Sequence, residues 1–330
     1  MADSPRPRPL SELKPKDKEP RSVSILTGWI NQAERSLGVP AGGGRMGWLV
    51  ASTVVIAVLQ RAVDANGTPA FLLKGGTLLQ HRLGMSARAT SDVDGLVRGD
   101  IDAFLEALDD ALAEPWGPLT LTRSEVEVIA TPTRLVAPRR FNVVVGLRGQ
   151  TWRKVQVELA PDEGGAGDHP ETVMAPTLAG FGLPGPDELA ALAMRYQIAQ
   201  KIHACTDPHE PPGWVNDRPR DIVDLVLLRD LVTAENAPSA GEISAAARAV
   251  FQARAADATT LRREPRRWPP IAVAHAHWQR DYARAAQDGG VELSLTEGVA
   301  VVNAWIAELA GAADAAGETT PGTGPVRRDA

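Results

Sequence analysis

The chain has 330 residues, 44% of them hydrophobic and 23% charged, enough to bury a sizeable core in two domains or one elaborated one. A net charge of −6 excludes a bulk electrostatic case for nucleic-acid binding, so any such binding must come from a local basic patch. The single cysteine, Cys205, excludes an intrachain disulfide and fits a reducing cytosol, and the sequence shows neither a signal-peptide core nor an apolar run of the ~18 residues a membrane helix needs.

Residues 1–20 are rich in Pro, Lys and Arg and read as a disordered or loosely docked arm. Residues 46–65 (MGWLVASTVVIAVLQRAVDA) predict a helix buried on most sides. The stretch FLLKGG follows at 71–76, then a short amphipathic segment to Leu83 and an acidic strand at 91–97 (SDVDGLV). Residues 101–112 carry apolar side chains at helical spacing, whereas 119–129, 140–147 and 154–159 alternate as strands do. Near Gly185 the pattern turns helical. Residues 186–204 open with Pro, Asp and Glu, the expected start of a helix. Residues 217–231 have an acidic cap candidate and Pro219 in the first turn, and three further helices are predicted at 243–256, 271–286 and 295–310. The expected organisation is an arm (1–20), an α+β domain (21–185), a helical domain (186–311) and a flexible tail (312–330).

The sharpest chemical signal is Lys74-Gly75-Gly76-Thr77 followed by Asp92-Val93-Asp94. Residues two apart on a strand share a face, so Asp92 and Asp94 set two carboxylates side by side, and these repel unless a cation sits between them. Hard oxygen ligands suit Mg²⁺. The glycines allow backbone N–H groups to approach a phosphate. Singly, each motif also reads as an ordinary turn or solvated strand end; their order makes a phosphate cradle opposite a metal cradle. Gln156 and Glu158 share a strand face. Glu158 either completes the metal site, if its strand lies beside 91–97, or simply faces solvent. Asp221 and Asp224 lie three apart on an otherwise apolar helix. They either complement the helix dipole or are buried against a cation such as Lys201, Arg218 or Arg220. His81, His203, His209, His275 and His277 form no metal-ligand spacing.

In this order, Phe71–Thr77, Arg88–Asp94, Gln200–Ala204 and Arg218–Leu225 resemble the AbiEii/AbiGii family of nucleotidyltransferase toxins, which includes the MenT group. The resemblance implies a DNA polymerase β-like nucleotidyltransferase domain joined to a helical domain. It implies an Mg²⁺-dependent, cytoplasmic enzyme that is the toxin of a toxin–antitoxin pair, with a cognate antitoxin as partner. NTP would be the donor, and an RNA such as the tRNA 3′ end the acceptor. It matches Gly75, Gly76 and Thr77, beside Lys74, to the loop that receives the NTP phosphates. Asp92 and Asp94 match the metal-binding D-x-D, Lys201 the lysine of the K-(L/I)-x-A segment and Asp221 the aspartate of the R-D-x-x-D segment, with Asp224 as the second acid; on this reading Lys201 helps hold the triphosphate and Asp221 orients Lys201 or serves as a further acid. The spacing from Gly76 to Asp92 is longer than in compact members of the wider superfamily, and Arg82 and Arg88 in that interval are candidates to face phosphate.

Two rival readings keep the fold. In one the acceptor is a small molecule or a protein side chain; in the other the protein is a catalytically inactive binding module. The run LRREPRRW at 261–268 carries Arg262, Arg263, Arg266 and Arg267 beside Trp268 and is the one dense basic segment. It reads as an RNA-holding patch or as a solvated loop broken by Pro265, Pro269 and Pro270.

Overall fold

A computed structural model describes residues 8–39, 44–84, 87–131 and 134–317. Helix α1 (Val23–Leu37) starts at Ser22, whose side chain accepts from the Ile25 N–H, and stops at Gly38 in the left-handed region. Helix α2 (Arg45–Leu59) is the apolar segment, buried along nearly its whole length. Strand β1 (Phe71–Lys74) leads directly into α3 (Gly75–Leu83), and β2 (Asp92–Val97) follows. Helix α4 (Ile101–Ala113) is capped by the Asp100 carboxylate, which accepts from the Ala103 N–H. Strands β3 (Leu119–Arg123), β4 (Glu127–Val128), β5 (Arg139–Leu147) and β6 (Gln150–Pro161) come next, then β7 (Pro170–Met174) and β8 (Glu188–Leu192). The β5–β6 hairpin closes through Arg148 and Gly149, both at positive φ (50° and 81°), the turn that matches the right-handed twist of strands.

These strands form one sheet in the order β3-β5-β6-β2-β1-β8-β7, with β4 beside β5. Strand β2 runs antiparallel to β1 and parallel to β6, so two carboxylate-bearing strands lie side by side at the sheet centre. Beyond the sheet lie α5 (Met194–Cys205), α6 (Pro219–Glu235), α7 (Ala240–Thr260), α8 (Gln279–Gly289) and α9 (Leu295–Gly317). The fold is therefore mixed α/β around a central sheet. One core cluster packs α1, α2 and α4 on the sheet; a second joins α5 to α9 around Trp278, Tyr282 and Trp305. Among the described residues, no helix is long and apolar enough to cross a membrane.

Several expected elements take other forms. Residues 188–192 are a strand, not the first turns of a helix. Leu189 and Ala191 are buried, and β8 pairs with β1 and β7, so sheet burial overrides the helix-start signal and the helix begins at Met194. The strand expected at 119–129 breaks into β3 and β4. The helix expected from 271 begins only at Gln279, after the prolines and a short 3₁₀ turn. Of the N-terminal arm, residues 8–20 are docked: Leu10 and Leu13 pack on the core and the Lys16 N–H donates to the Ala179 carbonyl (2.9 Å). Residues 1–7 lie outside the described residues. The tail expected from 312 does so only from 318, because α9 runs to Gly317.

Helix α3 carries His81, whose ring nitrogens are buried with no hydrogen-bond partner among the described residues. Burial lowers its pKa to about 4. The folded protein thus holds fewer protons there than the unfolded chain, whose histidine titrates near ~6.5. This contribution is intact above about pH 6.5 and is lost as pH falls toward 4. Substituting His81→Leu should flatten the decline of urea midpoints across that window. A wild-type slope in H81L would contradict it.

Candidate active site

The sheet register assembles the site. Asp94 lies opposite Lys74 on β1 and opposite Glu158 on β6, and Asp92 lies opposite Gln156. Carboxylate oxygens of Asp92, Asp94 and Glu158 all fall within 4.8 Å of one another, and all three residues are partly exposed. Glu158 thus sits in the acidic cluster and not on an outer face. It also has neighbours: Arg140 donates twice to its Oε1 (2.9 and 2.7 Å) and Gln156 once (3.2 Å). All three bonds fall on Oε1, and among the described residues no hydrogen bond falls on Oε2. Loss of hydration, then repulsion from Asp92, pushes Asp94 up to about 7. Three oxygen donors this close, one of them held back from ionising, fit a hard divalent cation.

The glycine turn is shaped around that cluster. Gly75 has φ +70°, and a Cβ there would fall 2.1 Å from Asp94 Oδ2, so neither backbone nor space admits a side chain. Its carbonyl accepts from Gln197 Nε2 (3.0 Å), which ties the turn to α5. Gly75 and Gly76 open α3, whose N-terminal N–H groups give a dipole suited to phosphate. Thr77 follows in the first turn of α3. It is fully buried and its hydroxyl donates to the Asp92 carbonyl (2.6 Å), so it anchors β2. Lys74 has no hydrogen-bond partner among the described residues, and burial, then Arg134, lowers its pKa to about 8.

Lys201 projects from α5 and donates to Asp221 Oδ1 (2.8 Å) and Asp224 Oδ2 (2.6 Å). Asp224 is fully buried and also receives Arg88 through Nε (2.7 Å) and Nη2 (2.9 Å). The ion-pair alternative therefore holds for both acids, and no side chain caps α6. Arg88 also lines the cavity, with its fork closed on Asp224. Arg82 is likewise paired, with Glu171 (2.7 Å). Burial alone would raise Asp224, but Lys201 and Arg88 hold it below the ordinary carboxylate range.

A cavity of about 670 Å³ brings these parts together: Asp92, Asp94 and Glu158 line it with Lys201, Asp221 and Trp214. The basic run at 262–267 divides. Arg266 is tied to Asp207 (2.6 Å) and the His203 carbonyl (2.9 Å), and Trp268 packs edge-on against Phe251 (5.7 Å). Arg263 lies over Trp214 (5.7 Å) on the cavity wall, and Arg262 and Arg267 are exposed. Sequence reading missed Arg134, Glu163 and Arg254, which also line the cavity. None belongs to a motif, and only the fold gathers them.

The model of the AbiEii nucleotidyl transferase toxin family, a type IV toxin–antitoxin system, matches residues 57–305. No curated protein matches the sequence. Among solved structures, MenT4, a nucleotidyltransferase toxin of Mycobacterium tuberculosis, aligns at 19% identity with a TM-score of 0.50, over 89% of this chain and 98% of its own. A nucleotidyltransferase of Helicobacter pylori aligns at 13% identity with a TM-score of 0.43, over 83% of this chain and 98% of its own.

Proposed function

Since the chain belongs to the AbiEii nucleotidyltransferase toxin family, we propose that it is an Mg²⁺-dependent toxin that transfers NMP from an NTP to the 3′ end of an RNA such as tRNA. The observation that carries this reading is the Asp92/Asp94/Glu158 cluster, facing the Gly75–Gly76 turn and sharing one cavity with the Lys201–Asp221 pair. In this reading the sheet, through β8, is a DNA polymerase β-like nucleotidyltransferase domain, and α5–α9 form the helical domain that closes the cleft. Membership of a toxin–antitoxin family gives the chain an antitoxin partner and a nucleotide substrate, and the enzyme acts in the cytoplasm.

Asp92, Asp94 and Glu158 would hold the divalent cation, which when bound polarises the α-phosphate and lowers the pKa of the attacking hydroxyl. The Gly75–Gly76 N–H groups and the start of α3 receive phosphate oxygens. Asp221 and Asp224 fix Lys201 so that its charge stands at one wall of the cleft instead of sampling solvent. Arg263 over Trp214 offers a cation and an aromatic face to an entering nucleotide base. Incubation with total tRNA and each labelled NTP in turn should put label on RNA. Label on protein or on small molecules alone would favour the rival acceptors, and absence of NTP binding would favour the inactive module.

A further inference from the structure

The resemblance gives the triphosphate to Lys201, yet two of its three donor positions are closed by Asp221 and Asp224. The cavity holds other cations. Glu163, in the β6–β7 loop, pairs through Oε1 with Arg134 Nη1 (2.9 Å) and through Oε2 with Arg254 Nη2 (2.9 Å). All three side chains are largely shielded, at 10% exposure for Glu163, 23% for Arg134 and 14% for Arg254. The brace is built from three elements. Arg134 comes from the β4–β5 connection, Arg254 from α7, and the loop bearing Glu163 lies close on α7, where a Cβ at Gly164 would be 3.1 Å from the Ala249 backbone.

Both guanidiniums and Glu163 act electrostatically on Lys74, and Lys74 in turn on Asp94. Lys74 lies opposite Asp94 in the β1–β2 register and lines the same cavity as the two arginines. Arg218 adds positive charge near Arg134, and Asp257 adds negative. Four cations, Lys74, Arg134, Arg254 and Arg218, thus face three carboxylates, Glu163, Asp94 and Asp257, and among the described residues the buried Arg254 Nε has no hydrogen-bond partner. Like charges gathered in a shielded wall are costly without an anion among them.

We infer that Arg134, Arg254 and Lys74, braced by Glu163, form the subsite for the terminal phosphates of the donor nucleoside triphosphate. This rests on the nucleotidyltransferase reading above and moves the terminal phosphates from Lys201 to other cations lining the same cavity. Arg forks suit phosphate oxygens in pairs, and the brace keeps each fork oriented before ligand arrives. Replacing one arginine leaves Glu163 paired with the other, so single variants keep the fold.

The test is calorimetric binding of an NTP, the matching NMP and inorganic tripolyphosphate, each with Mg²⁺, to wild type, Arg134→Gln, Arg254→Gln and the double variant. Losing one charge-assisted contact should weaken NTP and tripolyphosphate roughly 10- to 100-fold and leave NMP unchanged. The double variant should bind NTP no better than NMP. Equal weakening of NTP and NMP, or wild-type NTP affinity in the double variant, would overturn the subsite, as would a wild type that binds neither NTP nor tripolyphosphate. Tripolyphosphate binding without NTP binding would keep the subsite and reject the nucleotidyltransferase reading.

Discussion

Asp94→Asn should abolish nucleotidyl transfer while making the metal-free protein more stable. Asp94 lies at the crossing of β1, β2 and β6, against the Gly75 turn, and supplies one of three clustered carboxylates. Metal stabilisation of phosphoryl charge is worth several kcal/mol, and each ~1.4 kcal/mol is tenfold, so turnover should fall by about 10³-fold or more. The stability effect has the opposite sign. Its pKa is raised to about 7, so the folded state binds a proton that the unfolded chain releases near pH ~3.9. The carboxylate therefore costs stability as pH rises from about 4 to about 7, and that cost persists above 7. Asparagine removes it, which should add roughly 1–3 kcal/mol at pH 8 without divalent metal. Thermal melts with EDTA and a single-turnover transfer assay check both halves. An active D94N, or one that melts below wild type in EDTA, would contradict the assignment. Asp92→Ala should share the loss of turnover.

The second large effect is structural. Asp224 is fully buried and carries contacts from both Arg88 and Lys201. Asp224→Ala leaves Lys201 with Asp221 but takes from Arg88 the carboxylate its fork is closed on, and breaking a buried pair from one side costs about 3–5 kcal/mol. Its pKa is depressed by those cations once the opposing effect of burial is overcome, so its stabilisation is present above about pH 4 and is lost as pH falls through the folded value. Urea unfolding at pH 7 should show the full loss, and Asp224→Asn, which keeps the shape and one acceptor oxygen, a smaller one. A D224A protein within ~1 kcal/mol of wild type would show that Arg88 and Lys201 find other partners. Asp221 differs: among the described residues its side chain pairs with Lys201 alone, and it lines the cavity, so Asp221→Ala should reduce transfer far more than stability.

Local chemistry was legible wherever a residue's role follows from its near neighbours in the chain. The period-2 placement of Asp92 and Asp94, the glycine turn that must not carry a Cβ, and the apolar α2 helix all read directly, because strand pleat, backbone freedom and burial act over a few residues. So did the pairing options of Asp221 and Asp224, since two acids on an apolar helix face need cations. What the sequence left open were the partners. Whether Glu158 joins the acidic cluster depends on β6 lying parallel to β2, a register set by distant strands. Arg88 closes on an aspartate 136 residues away, and Thr77 gives its hydroxyl to the Asp92 backbone. Residues 188–192 become a strand because β1 and β7 offer an edge on each side. The arginines at 134 and 254 meet over Glu163 only because the β6–β7 loop lies on α7. A hydrogen bond or ion pair needs two groups within about 3–4 Å, and only the folded chain brings residues so far apart in sequence to that distance.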